Sequence, residues 1–506
     1  MELPPSEAMP SRGSSHPIWR SAMEDPILFW NHLCNEANRF DHTAPMKGSA
    51  QGGPTRSSRA TAIVHLAMHD AFFGVAGGQT LYLGVGQPAF AGGNSRKHQS
   101  AAVSGAAHTA LTYLYPEQAQ KFESGAGEIT ERNETDGKAF EYGRRIAQAV
   151  LALRRGDGAD PAPPPSRYVY SHAKPHHRAD PLNAPDQGEP LGANWGKVKL
   201  FAIQAMKALD PPHGISSAIY QRDHLEVLLK GGAASQKSTT RSVDETLVGL
   251  YWAYDGAKDL GTPPRLYNQI VREIADKKNN SWDQNARLFA LVNAAMGDAG
   301  IYAWHFKYLH DFWRPVIGVR EYDEACGWDA KAKAMPAPTD SLCDPFWRPL
   351  GAPKTNDTSG GARSFTPPFP AYPSGHATFG SAVFEMVRLF YHTGLLNTYK
   401  PDKRDDIAFK FVSAELNGVS VDNDGAVRTR FERQYNSVAE AMYDNSVSRI
   451  FLGVHWRFDG TSALNIDDML KKSGSANDDV GGVPLGRAIA RDIFESKLTQ
   501  STVVIA

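Results

Sequence analysis

The sequence predicts an all-α protein made of two helical bundles of about four main helices each, with the active site in the C-terminal bundle. Three observations lead there. Apolar residues recur at three and four residues over long segments, the connections between them are polar and rich in proline, and no alternating strand segment interrupts the stretch from Val243 to Trp313.

A chain of 506 residues exceeds a single core and suits two or three domains. Hydrophobic residues at 41%, charged residues at 22% and a mean hydropathy of −0.42 describe a globular protein. With 54 basic and 55 acidic side chains the net charge is −1, so no global field draws nucleic acid or an anionic membrane, and any anion site has to be built locally. No stretch approaches the apolar length of a membrane span, and the polar start from Met1 to His42 lacks the core of a signal peptide, which points to a cytoplasmic or non-classically secreted protein. Cys34, Cys326 and Cys343 form no C-x-x-C pair; they fit a reducing compartment and give no zinc signature, while a Cys326–Cys343 bridge stays open. Nothing in the pattern distinguishes a monomer from a homodimer.

Residues 1–55 read as a polar leader and first helix, and 56–240 as the N-terminal bundle. Its first core-facing stripe is Ala62, Ile63, Leu66, Ala67 and Phe72, followed by helical segments Ser100–Tyr115 and Glu117–Arg155. A proline-rich stretch, 156–193, breaks every pattern and reads as a long loop between the halves. Residues 241–506 read as the second bundle, with helices expected over Thr246–Asp255, Pro264–Asp276, Asn285–Trp313 and Ala377–Tyr391. His65 and His69 lack a third ligand and read as a hydrogen-bonded interior pair, and His172, His176 and His177 as solvated loop residues.

Three clusters carry chemistry. Lys307 and Arg314 are seven residues apart, two helical turns, which puts two cations on one face; Pro315 marks the helix end beside Arg314. Pro367-Pro368-Phe369-Pro370-Ala371-Tyr372-Pro373-Ser374-Gly375-His376 is a stiff entry that delivers Ser374 to a helix N-cap, with the Gly375 amide open to an anion. In Ser448-Arg449-Ile450-Phe451-Leu452-Gly453-Val454-His455, Gly453 ends a helix and turns His455 back toward Arg449, and Asp459 is placed to orient the imidazole. Together these donors suit a tetrahedral or trigonal-bipyramidal oxyanion.

K-x6-R-P, then P-S-G-H, then S-R-x3-G-x-H resembles the signature shared by vanadium-dependent haloperoxidases and type 2 phosphatidic-acid phosphatases. The wording around it is similar to fungal-type vanadium chloroperoxidases from about Trp252 to Phe494. The resemblance implies vanadate as cofactor, with His455 as its ligand and Lys307, Arg314, Ser374, Gly375 and Arg449 on its oxygens. It implies His376 as the acid-base, Lys307 as the group that polarises peroxide for halide attack, and Trp304, Pro367 and Phe369 as an apolar halide pocket. Asp255 matches an aspartate that pairs with an active-site arginine. The implied reaction oxidises chloride or bromide with hydrogen peroxide to hypohalous acid, which then reaches an organic acceptor. The same cradle would serve a phosphatase in which His455 attacks phosphorus, and the dry lining by Trp304 and Phe369 favours the haloperoxidase.

Overall fold

The computed structural model describes residues 25–43, 49–84, 90–129, 134–159, 168–182, 190–233, 239–256, 259–322, 342–351, 366–393, 397–421, 425–472 and 480–505. Their regular structure is helical apart from one two-stranded sheet. A first group comprises α1 (Pro26–Thr43), α2 (Gly53–Ala76), α3 (Arg96–Leu114), α4 (Ala119–Ile129) and α5 (Glu134–Leu153). Irregular chain leads to α6 (Ala218–Lys230), α7 (Val243–Tyr251) and α8 (Pro263–Lys277). The second group holds α9 (Trp282–His310), α10 (Pro315–Glu321), α11 (Gly375–His392), β1 (Phe409–Asn417), β2 (Arg430–Tyr435), α12 (Val438–Phe451), α13 (Arg457–Gly460), α14 (Ile466–Lys472) and α15 (Gly482–Glu495).

Helix α9 organises both groups. Its 29 residues span about 43 Å at the usual rise. It packs on α2 of the first group and on α11 and α15 of the second, so it is buried almost all round from Asn285 to Lys307. That explains its weak amphipathicity: a helix with neighbours on every side has no face to give to water. The main apolar cluster runs through both groups without a break. Against α11, helix α15 presents Gly482 and Gly486; a Cβ at these positions would lie 2.6 Å from Ser374 O and 2.3 Å from Thr378 O. The two backbones therefore meet at the first turn of α11, which carries Ser374 and His376.

Two expected helices end early. The segment expected to run to Asp255 stops at Tyr251, and Tyr254 takes a left-handed φ of 42°. The segment expected to run to Trp313 stops at His310, where Asp311 adopts φ 49° and Pro315 excludes continuation. An antiparallel hairpin also stands where no strand was expected: β1 pairs with β2 in the register Phe409↔Tyr435 and Phe411↔Arg433. Phe409, Phe411, Ser413 and Glu415 alternate inward along it, a period-two pattern too short to compete with the helical signals around it. Cys34 is a free, buried thiol and Cys343 is disulfide-bonded; Cys326 lies outside the described residues. Among the described residues no helix is long and apolar enough to cross a membrane.

The buried carboxylate of Glu385 ties α11 to α15. It meets Arg388 at 2.5 Å, Arg491 at 2.8 Å and Arg487 at 3.2 Å, and the Tyr399 hydroxyl donates to it at 2.5 Å. Burial alone would raise its pKa; Arg487, Arg388 and Arg491 outweigh burial and hold it at about 2. A folded-state pKa below the ordinary 4.5 means that this stabilisation is complete above 4.5 and is lost as pH falls toward 2. Replacing Glu385 by Ala leaves buried cations uncompensated and should cost about 3–5 kcal/mol at pH 7. Urea unfolding at pH 7 and pH 3 measures this, with the gap between wild type and variant narrowing at the lower pH.

Candidate active site

The turn between α9 and α10 supplies two cations by a different route from helical periodicity. Lys307 is in the last turn of α9, whereas Arg314 lies beyond the reversal at Asp311 and is the N-cap residue of α10. The shared-face expectation therefore fails as geometry, yet the fold brings both side chains to the ring of Phe369, at 5.1 Å for Lys307 Nζ and 4.9 Å for Arg314 Cζ. Lys307 is fully buried and donates to the carbonyls of Pro370, Ala371 and Pro373 at 2.9, 2.9 and 2.5 Å. Its donors are committed to backbone, so it acts on the site chiefly as a charge. Burial, and then Arg314 beside it, draw its pKa well below the ordinary lysine value, against the pull of Asp459.

The proline-stiffened entry ends on Ser374, the N-cap of α11, whose Oγ accepts from Ala377 N–H. Gly375 opens the helix, so its amide has no partner within it. A Cβ there would sit 3.3 Å from Trp304, so glycine lets that ring close over the helix start. His376 Nε2 lies 2.7 Å from Ala253 O, which makes Nε2 the donor and leaves Nδ1 with the lone pair. Burial, then the charge of Arg449, keep the His376 pKa well below the usual imidazole value. The Tyr267 hydroxyl and Asn445 Nδ2 lie 3.0 and 2.8 Å from the His376 carbonyl and anchor this first turn.

Helix α12 ends at Phe451, and Gly453, with φ +71°, lets the chain fold back so that the amides of Val454 and His455 both reach Arg449 O. His455 Nδ1 lies 2.7 Å from Asp459 Oδ2, which also accepts from Trp456 N–H. The lone pair of Nε2 is thereby turned toward Arg314, whose Nη1 lies 2.9 Å away. Arg449 pairs with Asp255 through Nη2, at 2.9 Å to Oδ1 and 3.0 Å to Oδ2.

Residues 253–255 thus hold both His376, through Ala253 O, and Arg449, through Asp255. The hairpin clamps this loop, because Tyr254 N–H donates to buried Glu415 Oε1 at 2.8 Å and the Tyr254 hydroxyl accepts from Ala414 N–H. Arg428 from across the hairpin neutralises Glu415 at 2.6 Å. Sequence reasoning missed Glu415, since its role depends on a contact between the hairpin and a loop 161 residues away.

The loop between the halves forms the opposite wall. Leu191 O accepts from Trp304 Nε1 at 3.0 Å, Leu191 N–H donates to Pro368 O, and the Trp304 and Phe369 rings stand 4.9 Å apart beside buried Pro367. His172 is exposed as expected, but His177 is not: it is 2% exposed, and its backbone N–H donates to Asp311 O. The loop reading fails there because residues 175–177 pair with the chain at 311–313, burying what looked like a surface histidine. His65 and His69 are buried and hydrogen-bonded, to Asn31 and Thr61 and to Asp70 respectively, and no cluster of metal-ligating residues occurs among the described residues.

Lys307, Arg314 and Arg449 face the carboxyl groups of Asp255 and Asp459, an excess of cationic groups in a water-excluded site. Arg314 Nη2 and Arg449 Nε and Nη1 are buried without a partner among the described residues. Orphan guanidinium donors beside a neutral imidazole fit an oxyanion with several oxygens, and His455 Nε2 would exchange its contact with Arg314 Nη1 for the central atom.

Two family models match the chain: "Vanadium chloroperoxidase N-terminal domain" over residues 23–187 and "VCPO second helical-bundle domain" over residues 287–468. Vanadium chloroperoxidase of Curvularia inaequalis is 36% identical over 592 aligned residues, covering 96% of this chain and 93% of that protein. Among solved structures, a bacterial vanadium-dependent iodoperoxidase aligns with a TM-score of 0.62 and 16% identity over 92% of this chain and 95% of its own. A holo-type bacterial vanadium-dependent chloroperoxidase aligns with a TM-score of 0.59 and 14% identity over 91% of this chain and 96% of its own. These two structures share the fold.

If the hairpin clamp sets the cradle, Glu415→Ala should weaken inorganic phosphate binding by about tenfold, as loss of an outer support typically does. Glu415→Gln keeps an acceptor for Tyr254 N–H and should lose less. Isothermal titration with phosphate, alongside thermal melting to confirm folding, measures the difference.

Proposed function

Because the chain belongs to the vanadium chloroperoxidase family, we infer that its cradle binds vanadate and uses hydrogen peroxide to oxidise halide to hypohalous acid. The observation that carries this reading is the set of orphan donors, Arg314 Nη2 and Arg449 Nε and Nη1, around the imidazole of His455. Vanadate, when bound, supplies a Lewis-acid centre that activates peroxide toward halide without a change in its own oxidation state.

The chain's residues do the rest. His455, held in this tautomer by Asp459, would supply Nε2 as the covalent protein ligand. Arg314, Arg449, the Gly375 amide and the Ser374 hydroxyl would hold the vanadate oxygens, and Lys307 adds a buried charge whose pull is strengthened by the apolar rings around it. His376, neutral and with Nδ1 free of Ala253, takes the proton that peroxide gives up and returns it on product release. Asp255 keeps Arg449 in place.

Trp304, Pro367 and Phe369 form the halide side of the site. Chloride is harder to oxidise than bromide, and a dry wall beside the Lys307 ammonium supports the stronger polarisation it needs, which favours a chloroperoxidase. Hypohalous acid leaving this wall would halogenate an organic acceptor.

Substitution separates the two histidines. His455→Ala should abolish tight vanadate retention in equilibrium dialysis, whereas His376→Ala should retain vanadate and lose roughly 10²- to 10⁴-fold in bromide oxidation. Undiminished vanadate affinity in the first variant, or full turnover in the second, removes the respective assignment.

Phe369→His brings polarity and water to the wall and should lower chlorination more than bromination. Steady-state rates with both halides at matched peroxide read this out; an unchanged chloride-to-bromide ratio means that the aromatic wall does not set halide use.

A further inference from the structure

The segment from Pro175 to His177 lies along the turn that separates Lys307 from Arg314. Trp313 N–H donates to Pro175 O at 2.8 Å and His177 N–H to Asp311 O at 2.9 Å, while the side chains of His176 and Tyr168 hold the Asp311 carboxylate. This pairing fixes His177 beside the cradle although it comes from the other half of the chain. Its side chain is buried with the residue 2% exposed, and neither Nδ1 nor Nε2 has a hydrogen-bond partner among the described residues. The rings of Tyr168 and Tyr170 flank it at 6.1 and 6.0 Å.

A buried imidazole with both nitrogens unpaired is costly and signals a ligand with matching groups. Burial, and then the nearby charges of Arg314 and Lys307, draw its pKa well below the usual imidazole value, so the ring is neutral and offers one donor and one acceptor. A halide only accepts and is drawn to the cations. Cofactor oxygens are served by the orphan guanidinium groups. Hydrogen peroxide is small and neutral, with O–H donors and oxygen acceptors at both ends, and it complements the ring. We propose that His177 binds hydrogen peroxide at the edge of the cradle, one ring nitrogen accepting a peroxide O–H and the other open to donate to a peroxide oxygen. The residue positions peroxide near Arg314 and Lys307 and takes no proton itself.

This inference rests on the haloperoxidase reading of the cradle, and its test keeps the two apart. His177→Phe keeps ring size and removes both nitrogens; His177→Gln restores a donor and an acceptor. In the vanadate-loaded protein the Phe variant should show a peroxide KM raised about tenfold, equivalent to one lost hydrogen bond of useful strength. Its bromide KM, and its vanadate affinity in equilibrium dialysis, should change less than about twofold, and the Gln variant should recover most of the peroxide KM. An unchanged peroxide KM in the Phe variant overturns the proposal, as does a loss of vanadate retention, which would place His177 on the cofactor instead. Failure of the wild-type protein to oxidise bromide would count against the functional reading, not against His177. If the Phe variant does not fold, crystals of the unaltered protein soaked with vanadate and peroxide decide: a peroxide oxygen within hydrogen-bond distance of the His177 ring supports the assignment, and a ring that contacts only protein or water overturns it.

Discussion

Burying Lys307, Arg314 and Arg449 around one imidazole is the constraint on which the rest of the structure depends. Like charges in a medium of low dielectric repel strongly and lose their hydration, so each needs compensation from the protein. Lys307 finds it in three carbonyls, Arg449 in Asp255, and Arg314 in the carbonyls of Phe369 and Val454. That compensation is partial by design of the geometry, because Arg314 and Arg449 each keep unpartnered donors. The remaining imbalance is what we propose an oxyanion cofactor satisfies.

The carbonyls that hold the cations belong to irregular chain, not to helices. A helix spends its carbonyls on its own amides, so such acceptors exist only where the backbone leaves helical conformation. This explains why the residues of the candidate site gather at the end of α9, the entry to α11, the end of α12 and the loop after α7. Packed helices then hold these pieces in place: α15 approaches α11 through Gly482 and Gly486, and Glu385 locks the two through its arginines. Left-handed Tyr254, Asp311 and Gly453 mark places where the chain turns beside the residues of the candidate site.

The first half of the chain is more than support. Leu191 and Gly192 cover Trp304, where a Cβ on Gly192 would meet the indole at 2.5 Å, and residues 175–177 brace the turn between Lys307 and Arg314. Water exclusion at the cations therefore depends on a segment whose composition alone reads as a solvated loop.

The sequence by itself determined the helical class, through three-four periodicity, and singled out the residues proposed for the cradle, through motifs whose spacing is local and the resemblance they carry. Ser374 at an N-cap before Gly375, and Gly453 before His455, need only neighbours in the chain, so they are legible without the fold. Only the tertiary structure decided that Lys307 and Arg314 meet around a reversal rather than along one helix face, that Glu415 on an unanticipated hairpin clamps Tyr254, and that His177 is buried beside the site. The physical reason is the same in each case: these positions are set by backbone hydrogen bonds to distant, irregular chain, Asp311 with His177 and Glu415 with Tyr254, and such bonds leave no periodic trace in the order of the residues.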